Sequence, residues 1–396
     1  MADLTATVTP CRAEGTVSWS QIDQGLLIAL GAIALLGVIM VASASVSVAE
    51  QATGDAFYYL KRQAVFIVLA CGVAFATVQV PLVNWERGGP ALLVLALALL
   101  AVVLIPGVGR EVNGAVRWIP LGVFNFQVAE GAKVLLMLYL AGYLVRRGRQ
   151  VRESSVAFLV PVALFGLCGF LLLLQPDFGT ALLLLAVALG MLFLAGVPLW
   201  RFMALVAVLG ASAAALVVYS PYRWQRVTAF MDPWSDPFAT GFQLTQSLIA
   251  IGRGEWWGVG LGNSVQKLFY LPEAHTDFVF SVMAEEFGLL GVAVVVALFA
   301  YVTYRALLLG RDCHRHGLRF AGYAAWGAGL SLGLQAFINM GVAMGILPTK
   351  GLTLPLISYG GSSALATGVV VGLLLRAGCE LRQAREAGRR PEEADS

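Results

Sequence analysis

Between Ile22 and Gly378 the chain is built from apolar runs of about 18–25 residues, each long enough to cross a ~30 Å hydrocarbon core as a helix. In lipid every backbone N–H and C=O needs a partner within its own structure, which leaves helices or a closed barrel. Barrel strands are short and alternate apolar with polar, and these runs do neither. The expected fold is therefore an all-α polytopic membrane protein of about ten helices. The expected spans are Ile22–Ser47, Arg62–Pro81, Pro90–Pro106, Ala129–Arg146, Val156–Leu174, Phe178–Gly196, Trp200–Ser220, Phe278–Leu309, Phe320–Val342 and Leu356–Arg376. Composition agrees: 12% of the 396 residues are charged, against about 25% in a soluble protein. A net charge of +3 gives no reason to expect a nucleic-acid partner.

Residues 1–21 are polar, without the apolar core and small-residue cleavage pattern of a signal peptide, and are expected to be a cytoplasmic tail. Residues 22–378 then form the membrane domain, and 379–396 a second cytoplasmic tail. Lys and Arg set the orientation. With the N-terminus inside, the inner segments hold Arg12, Arg87, the cluster Arg146, Arg147, Arg149 and Arg152, then Arg201, Arg305, Arg311, Arg315, Arg319, Arg376 at the end of the last span and four arginines of the C-terminal tail. The outer segments hold fewer: Lys61, Arg62, Arg110, Arg117, Arg223, Arg226, Arg253, Lys267 and Lys350. The five cysteines, Cys11, Cys71, Cys168, Cys313 and Cys379, show no CxxC spacing, so neither a disulfide framework nor a zinc site is expected. No internal repeat of the kind found in many transporters is visible.

The outward segments are elaborate and the inward ones are plain connectors. Residues 221–276, between the seventh and eighth helices, are far too long for a simple connection and carry the turns Asp232-Pro233 and Asp236-Pro237. Within them, Gln243–Gly252 reads as a short amphipathic helix. A second outward loop, residues 107–128, holds Arg110, Glu111, Asn113, Arg117 and Trp118. A third, Met344–Leu356, holds Lys350 between prolines and glycines.

The densest chemistry lies in Leu271–Gly288, where a polar turn runs into a long apolar helix. Asp277 there suits a helix N-cap or a carboxylate base, and the two roles are compatible. If Asp277 is already helical, Ser281 and Glu285 share its face. Glu285 and Glu286 lie deeper and call for basic or hydroxyl partners. Glu130 and Lys133, spaced i, i+3, either neutralise each other or present Lys133 to an anion. Asp177, in a Gln-Pro-Asp-Phe-Gly turn, is expected to cap the next helix. Lys350 suits a phosphate contact or a snorkelling anchor. The glycines after Ser358 suit close helix packing. Gly258, Gly260 and Gly262 lack the strand and helix of a dinucleotide site, and no Walker-type motif occurs, so nucleotide chemistry is not expected.

Four motifs in order resemble the SEDS family of bacterial membrane proteins (shape, elongation, division and sporulation). They are GAVRWIPLG at 114–122, QPDFGTALLL at 175–184, LPEAHTDFVFSVMAEEFG at 271–288 and GILPTKGLTLPLISYGGSS at 345–363. Residues 221–267 look more like the division branch than the elongation branch. One departure is Val128-Ala129 where the family has Pro and Ser or Ala; Glu130 and Lys133 stay in register.

The resemblance implies a peptidoglycan glycosyltransferase that polymerises lipid II outside the bacterial cytoplasmic (inner) membrane, at the division septum. It implies Asp277 as the essential aspartate and a class B penicillin-binding protein transpeptidase as partner, alongside other divisome membrane proteins. One lipid II offers a sugar 4-hydroxyl, which a carboxylate must deprotonate. The other loses a lipid pyrophosphate, whose charge needs basic groups or a divalent cation, Mg or Mn. Lys350, Lys133 and Arg117 are the candidates for that charge; Glu130, Glu285 and Ser358 complete the candidate substrate-binding set. No obligatory cofactor is expected. The rival readings are a lipid II flippase, an elongation-type polymerase of the same family, and a non-catalytic division scaffold.

Overall fold

The structure is a computed structural model that describes residues 22–388 apart from Asn113, Val123, Thr240, Phe269, Thr349 and Lys350. The N-terminal tail, the end of the C-terminal tail and Lys350 therefore lie outside the described residues. In chain order the elements are α1 (Gln24–Thr53), α2 (Tyr58–Gln79), α3 (Leu82–Arg87), α4 (Gly89–Val102), β1 (Arg110–Val112), β2 (Ala115–Pro120), β3 (Asn125–Gln127), α5 (Val128–Glu153), α6 (Ser155–Leu174), α7 (Phe178–Leu194), α8 (Leu199–Val218), α9 (Pro221–Met231), α10 (Phe242–Gly254), α11 (Val279–Arg315), α12 (Arg319–Ala343) and α13 (Gly361–Glu386).

Each of the ten expected spans corresponds to one helix: α1, α2, α4 to α8 and α11 to α13. Seven of these are long and apolar enough to cross a membrane by length and composition; α4 and α7 are shorter apolar helices. The last helix departs most from expectation. It starts at Gly361, not Leu356, and continues to Glu386. Pro355 and the positive φ of Leu356 (62°) keep the preceding apolar residues out of the helix.

α5 is buried along most of its length, from Val128 to Leu144, and forms the centre of the bundle. α12 and α13 pack beside it and α8 stands at the edge, with none of its apolar window buried. Outward-facing Ile28, Val68, Phe75, Val94 and Val156 are more than half exposed, as a lipid-facing surface requires. Small residues set the closest approach. A Cβ on Gly361 would strike the Phe66 ring, and one on Gly368 the Ala70 backbone, so α13 lies directly on α2.

The two long loops are built, not open. Residues 110–127 form a three-stranded antiparallel sheet in the order β1-β2-β3, a small β element in a chain expected to be all-α. Trp118 pairs with Gln127 and Ile119 with Phe126. Ser362 ties this sheet to the start of α13: its Oγ accepts from Gln127 N (2.9 Å) and donates to Asn125 O (3.2 Å). The 221–276 segment contains α9 and α10. The expected amphipathic helix is α10, which packs on α11 and α12 and buries Leu244, Ser247 and Ala250.

α11 is two pieces. Gly288 has φ 65° and ψ −165°, which breaks the helix. The backbone groups freed there pair with the end of α10 and the loop after it. Val259 N donates to Glu285 O (3.0 Å), Gly260 N to Glu286 O (3.1 Å), and Leu289 N to Glu255 O (2.9 Å). Gly258 and Gly288 face each other at this crossing, where a Cβ on either would strike the other's segment.

Candidate active site

Asp277 lies in the turn Pro272–Phe278, one residue before the N-cap of α11. It is neither a helix cap nor a member of the helix face of Ser281 and Glu285. The N-cap is Phe278, and it has no side-chain cap. The turn closes through Glu273, whose carbonyl accepts from Thr276 N and Phe278 N, both at 3.2 Å. Asp277 is thus held by its main chain, and its carboxylate accepts no hydrogen bond from any described residue. That carboxylate lies on the backbone of Gly351, where a methyl group would meet Oδ2 at 3.0 Å. Burial pushes its pKa up to about 7; Glu273 and Asp177 push the same way and Arg117 opposes them.

Arg117 reaches from β2 across the α6–α7 turn. Its Nε donates to Gln175 O at 3.0 Å and its terminal nitrogen to Pro176 O. Asp177 caps α7 as expected, with Oδ1 accepting from Thr180 N (3.1 Å). Its Oδ2 is buried and has no partner among the described residues, and neither has Gln175 Oε1. The fold therefore brings together Asp277, Asp177 and Arg117 from three separate motifs.

Glu130 and Lys133 sit at the first turns of α5, 4% and 8% exposed. Lys133 Nζ donates to Glu130 Oε1 (3.0 Å) and to Gln335 Oε1 (2.8 Å). Gln335 Nε2 donates to Thr353 O (2.9 Å), and Thr353 Oγ1 to Ser363 Oγ (2.9 Å). Lys133 is thereby linked through α12 to the irregular 351–360 segment. That segment is the one Lys350 precedes.

Two expected substrate contacts have other roles here. Glu285 is fully buried. Its carboxylate accepts from Arg253 (3.0 Å), Val265 N (3.1 Å), Gln266 N (3.4 Å) and the Ser264 hydroxyl. It anchors the loop after α10 and offers nothing to a ligand. Ser358 is also buried; its Oγ accepts from Leu354 N (2.8 Å) and closes a turn. Glu286 is a second anchor, accepting from Lys267 Nζ (2.8 Å) and from Ser43 Oγ of α1 (2.6 Å).

The residues that sequence reading passed over are Gln335 and Asn339 of α12. Asn339 Nδ2 donates to Asp277 O (2.9 Å) and to Leu352 O (2.6 Å). The available signal was two amides spaced i, i+4 inside an apolar span. His275 forms a three-ring cluster with Tyr59 (4.7 Å) and Tyr359 (5.8 Å), whose own rings are 5.1 Å apart, and the cluster packs the turn against α2. No set of three His, Cys, Asp or Glu among the described residues has the arrangement of a metal site.

A model of the FtsW/RodA/SpoVE family, described as cell cycle protein, matches residues 24–383. A protein of Halorhodospira halophila named probable peptidoglycan glycosyltransferase FtsW is 72% identical over 396 residues, covering 100% of both chains. One of the same name from Alkalilimnicola ehrlichii is 61% identical over 375 residues, 95% of this chain and 94% of that one. Among solved structures, a chain of a peptidoglycan synthase complex that coordinates polymerization and crosslinking is similar with TM-score 0.74 at 34% identity, over 92% of this chain and 100% of that one. The rod shape determining protein RodA of Thermus thermophilus is similar with TM-score 0.68 at 32% identity, over 91% and 97%.

Proposed function

The chain belongs to the FtsW/RodA/SpoVE family, and from that premise we propose that it is a multi-pass membrane glycosyltransferase that polymerises lipid II, with Asp277 as its general base. The observation that carries the assignment is the state of the Asp277 carboxylate. It has no hydrogen-bond donor among the described residues and stands on the Gly351 backbone beside the charges of Glu273, Arg117 and Asp177, and burial pushes its pKa up to about 7. A base of that strength is divided between its two protonation states at neutral pH, which is where general-base transfer is most effective.

The reaction then proceeds in one displacement. Asp277 takes the proton of the acceptor sugar 4-hydroxyl as the oxygen attacks the donor's anomeric carbon, and the lipid pyrophosphate leaves. Arg117 and Lys350 supply positive charge for the leaving group. Lys133 acts behind them, through Gln335 and Thr353, because it is buried and held between Glu130 and Gln335. A divalent cation at the pyrophosphate would find Asp177 Oδ2, which has no partner among the described residues, as a carboxylate ligand and would supply further positive charge to the leaving group, while Asp277 stays free to take the proton.

The working end of the bundle is assigned to the extracytoplasmic face and both termini to the cytoplasm, since Arg146, Arg147, Arg149 and Arg152 cluster at the opposite end of α5 from Glu130. The 72% identity to a protein named FtsW supports the division septum as its place of action. A class B penicillin-binding protein is assigned as partner, supported by the similarity to a chain of a synthase complex.

The test is Asp277→Asn in the purified protein, with and without its transpeptidase partner. Asn keeps the size and loses the base. Glycan polymerisation from lipid II is expected to fall by roughly 10²–10⁴-fold, with expression and partner binding retained. A wild-type rate in this variant would sink the assignment. Absence of glycan from the wild-type complex would favour transport or scaffolding.

A further inference from the structure

Asn339 is 1% exposed and stands four residues after Gln335 on the same face of α12. Its amide nitrogen has two hydrogens, and both are used on main-chain carbonyls of segments without regular structure. One is Asp277 O at 2.9 Å; the other is Leu352 O at 2.6 Å. Oδ1 is buried without a partner among the described residues. The amide orientation is fixed by these acceptors, because the flipped form would set an oxygen against two oxygens. One turn earlier, Gln335 makes the corresponding link from Lys133 to Thr353 O. α12 therefore grips the 352–353 strap at two successive points. The upper one also holds the main chain of Asp277, while Gly351, next in the strap, floors its carboxylate.

We propose that Asn339 is a positioning residue that fixes the Asp277 turn and the Leu352 strap as one unit, and so sets where the Asp277 carboxylate stands. It touches no substrate. This rests on Asp277 being the base. The turn has no side-chain cap of its own, and the Asp277 carboxylate has no described donor to locate it. Glu273 O closes the turn and the His275 ring packs it against Tyr59 and Tyr359; the bond from Asn339 is the one that ties Asp277's own main chain to α12, and Gly351 floors its carboxylate. A displacement of about 1 Å at a reacting group is worth about 10²-fold in rate, so loss of the tether reads out in turnover.

The test uses the full-length protein with its transpeptidase partner and lipid II, with rates expressed per folded molecule. Asn339→Ser keeps one short donor, and Asn339→Leu keeps volume with none. The expected losses in kcat are about 10-fold and about 10²-fold, with KM changed by less than about twofold. In an Asp277→Glu background, where the carboxylate is already displaced, adding Asn339→Ser is expected to change kcat by less than about twofold. The same 10-fold loss in both backgrounds would overturn the proposal. So would an unchanged rate per folded molecule, or a change confined to KM. Failure of the base assignment looks different: Asp277→Asn alone would then turn over like wild type.

Discussion

Gly351 and Asp277 are in contact through backbone and carboxylate, with 3.0 Å between Oδ2 and the place a Gly351 side chain would begin. That spacing is tight enough to displace the carboxylate by a few tenths of an ångström without threatening the fold. Gly351→Ala is therefore expected to lower kcat about 10-fold while leaving melting and partner binding near wild type. Rates and melting curves on the same preparation check this; a normal rate would mean that the carboxylate has room to spare.

The raised pKa of Asp277 makes a prediction about stability as well as rate. The folded group holds its proton up to about pH 7, whereas the unfolded one releases it near 3.8. Between those values the unfolded state binds fewer protons, so wild-type stability falls as pH rises and levels off above about 7. Asp277→Asn removes this dependence. Its melting temperature relative to wild type is expected to climb from pH 5 to pH 8, while wild-type kcat/KM rises with pH over the neutral range. A constant melting difference across that range would contradict the shift.

The Lys267–Glu286 pair is buried, 8% and 0% exposed in its side chains. Glu286→Gln leaves the buried ammonium with neutral partners, Ser43 and the new amide, and no countercharge, and is expected to destabilise by about 3 kcal/mol. Lys267→Met combined with Glu286→Gln is expected to recover much of that. Thermal unfolding in detergent distinguishes the two, and equal losses in single and double variants would show that the charge pairing is not what matters.

Orientation is checked by single cysteines at Ser154 and Ser235, both exposed, in a chain stripped of its native cysteines. In intact cells an impermeant reagent is expected to reach position 235 and not 154. The reverse pattern would invert the topology.

Long apolar runs made all ten helices legible, because lipid leaves the backbone few options. The same apolarity hid the start of α13. Leu356 to Gly360 read as membrane helix, yet Pro355 and the turn closed by Ser358 keep them irregular. Asp277 was legible as an acid at the mouth of a helix, and the capping role that it also suited is not the one it has, since the N-cap is Phe278. Asp is a good cap locally, and nothing local announces that Glu273 closes the turn instead. Glu285 was visible as costly charge, but its donors come from a loop about 20 residues earlier. Asn339 was passed over for the same reason: no local pattern says which turn an amide in an apolar helix will meet.

The crossing of Gly258 and Gly288 has a consequence for how this chain can vary. Each glycine leaves room for the other's backbone, and a side chain at either would push into the opposing segment. Both positions also need positive φ. Replacement at one therefore opens no space that a second replacement at the other could fill. The two sites cannot exchange roles or compensate, so a helix broken with this geometry needs both glycines.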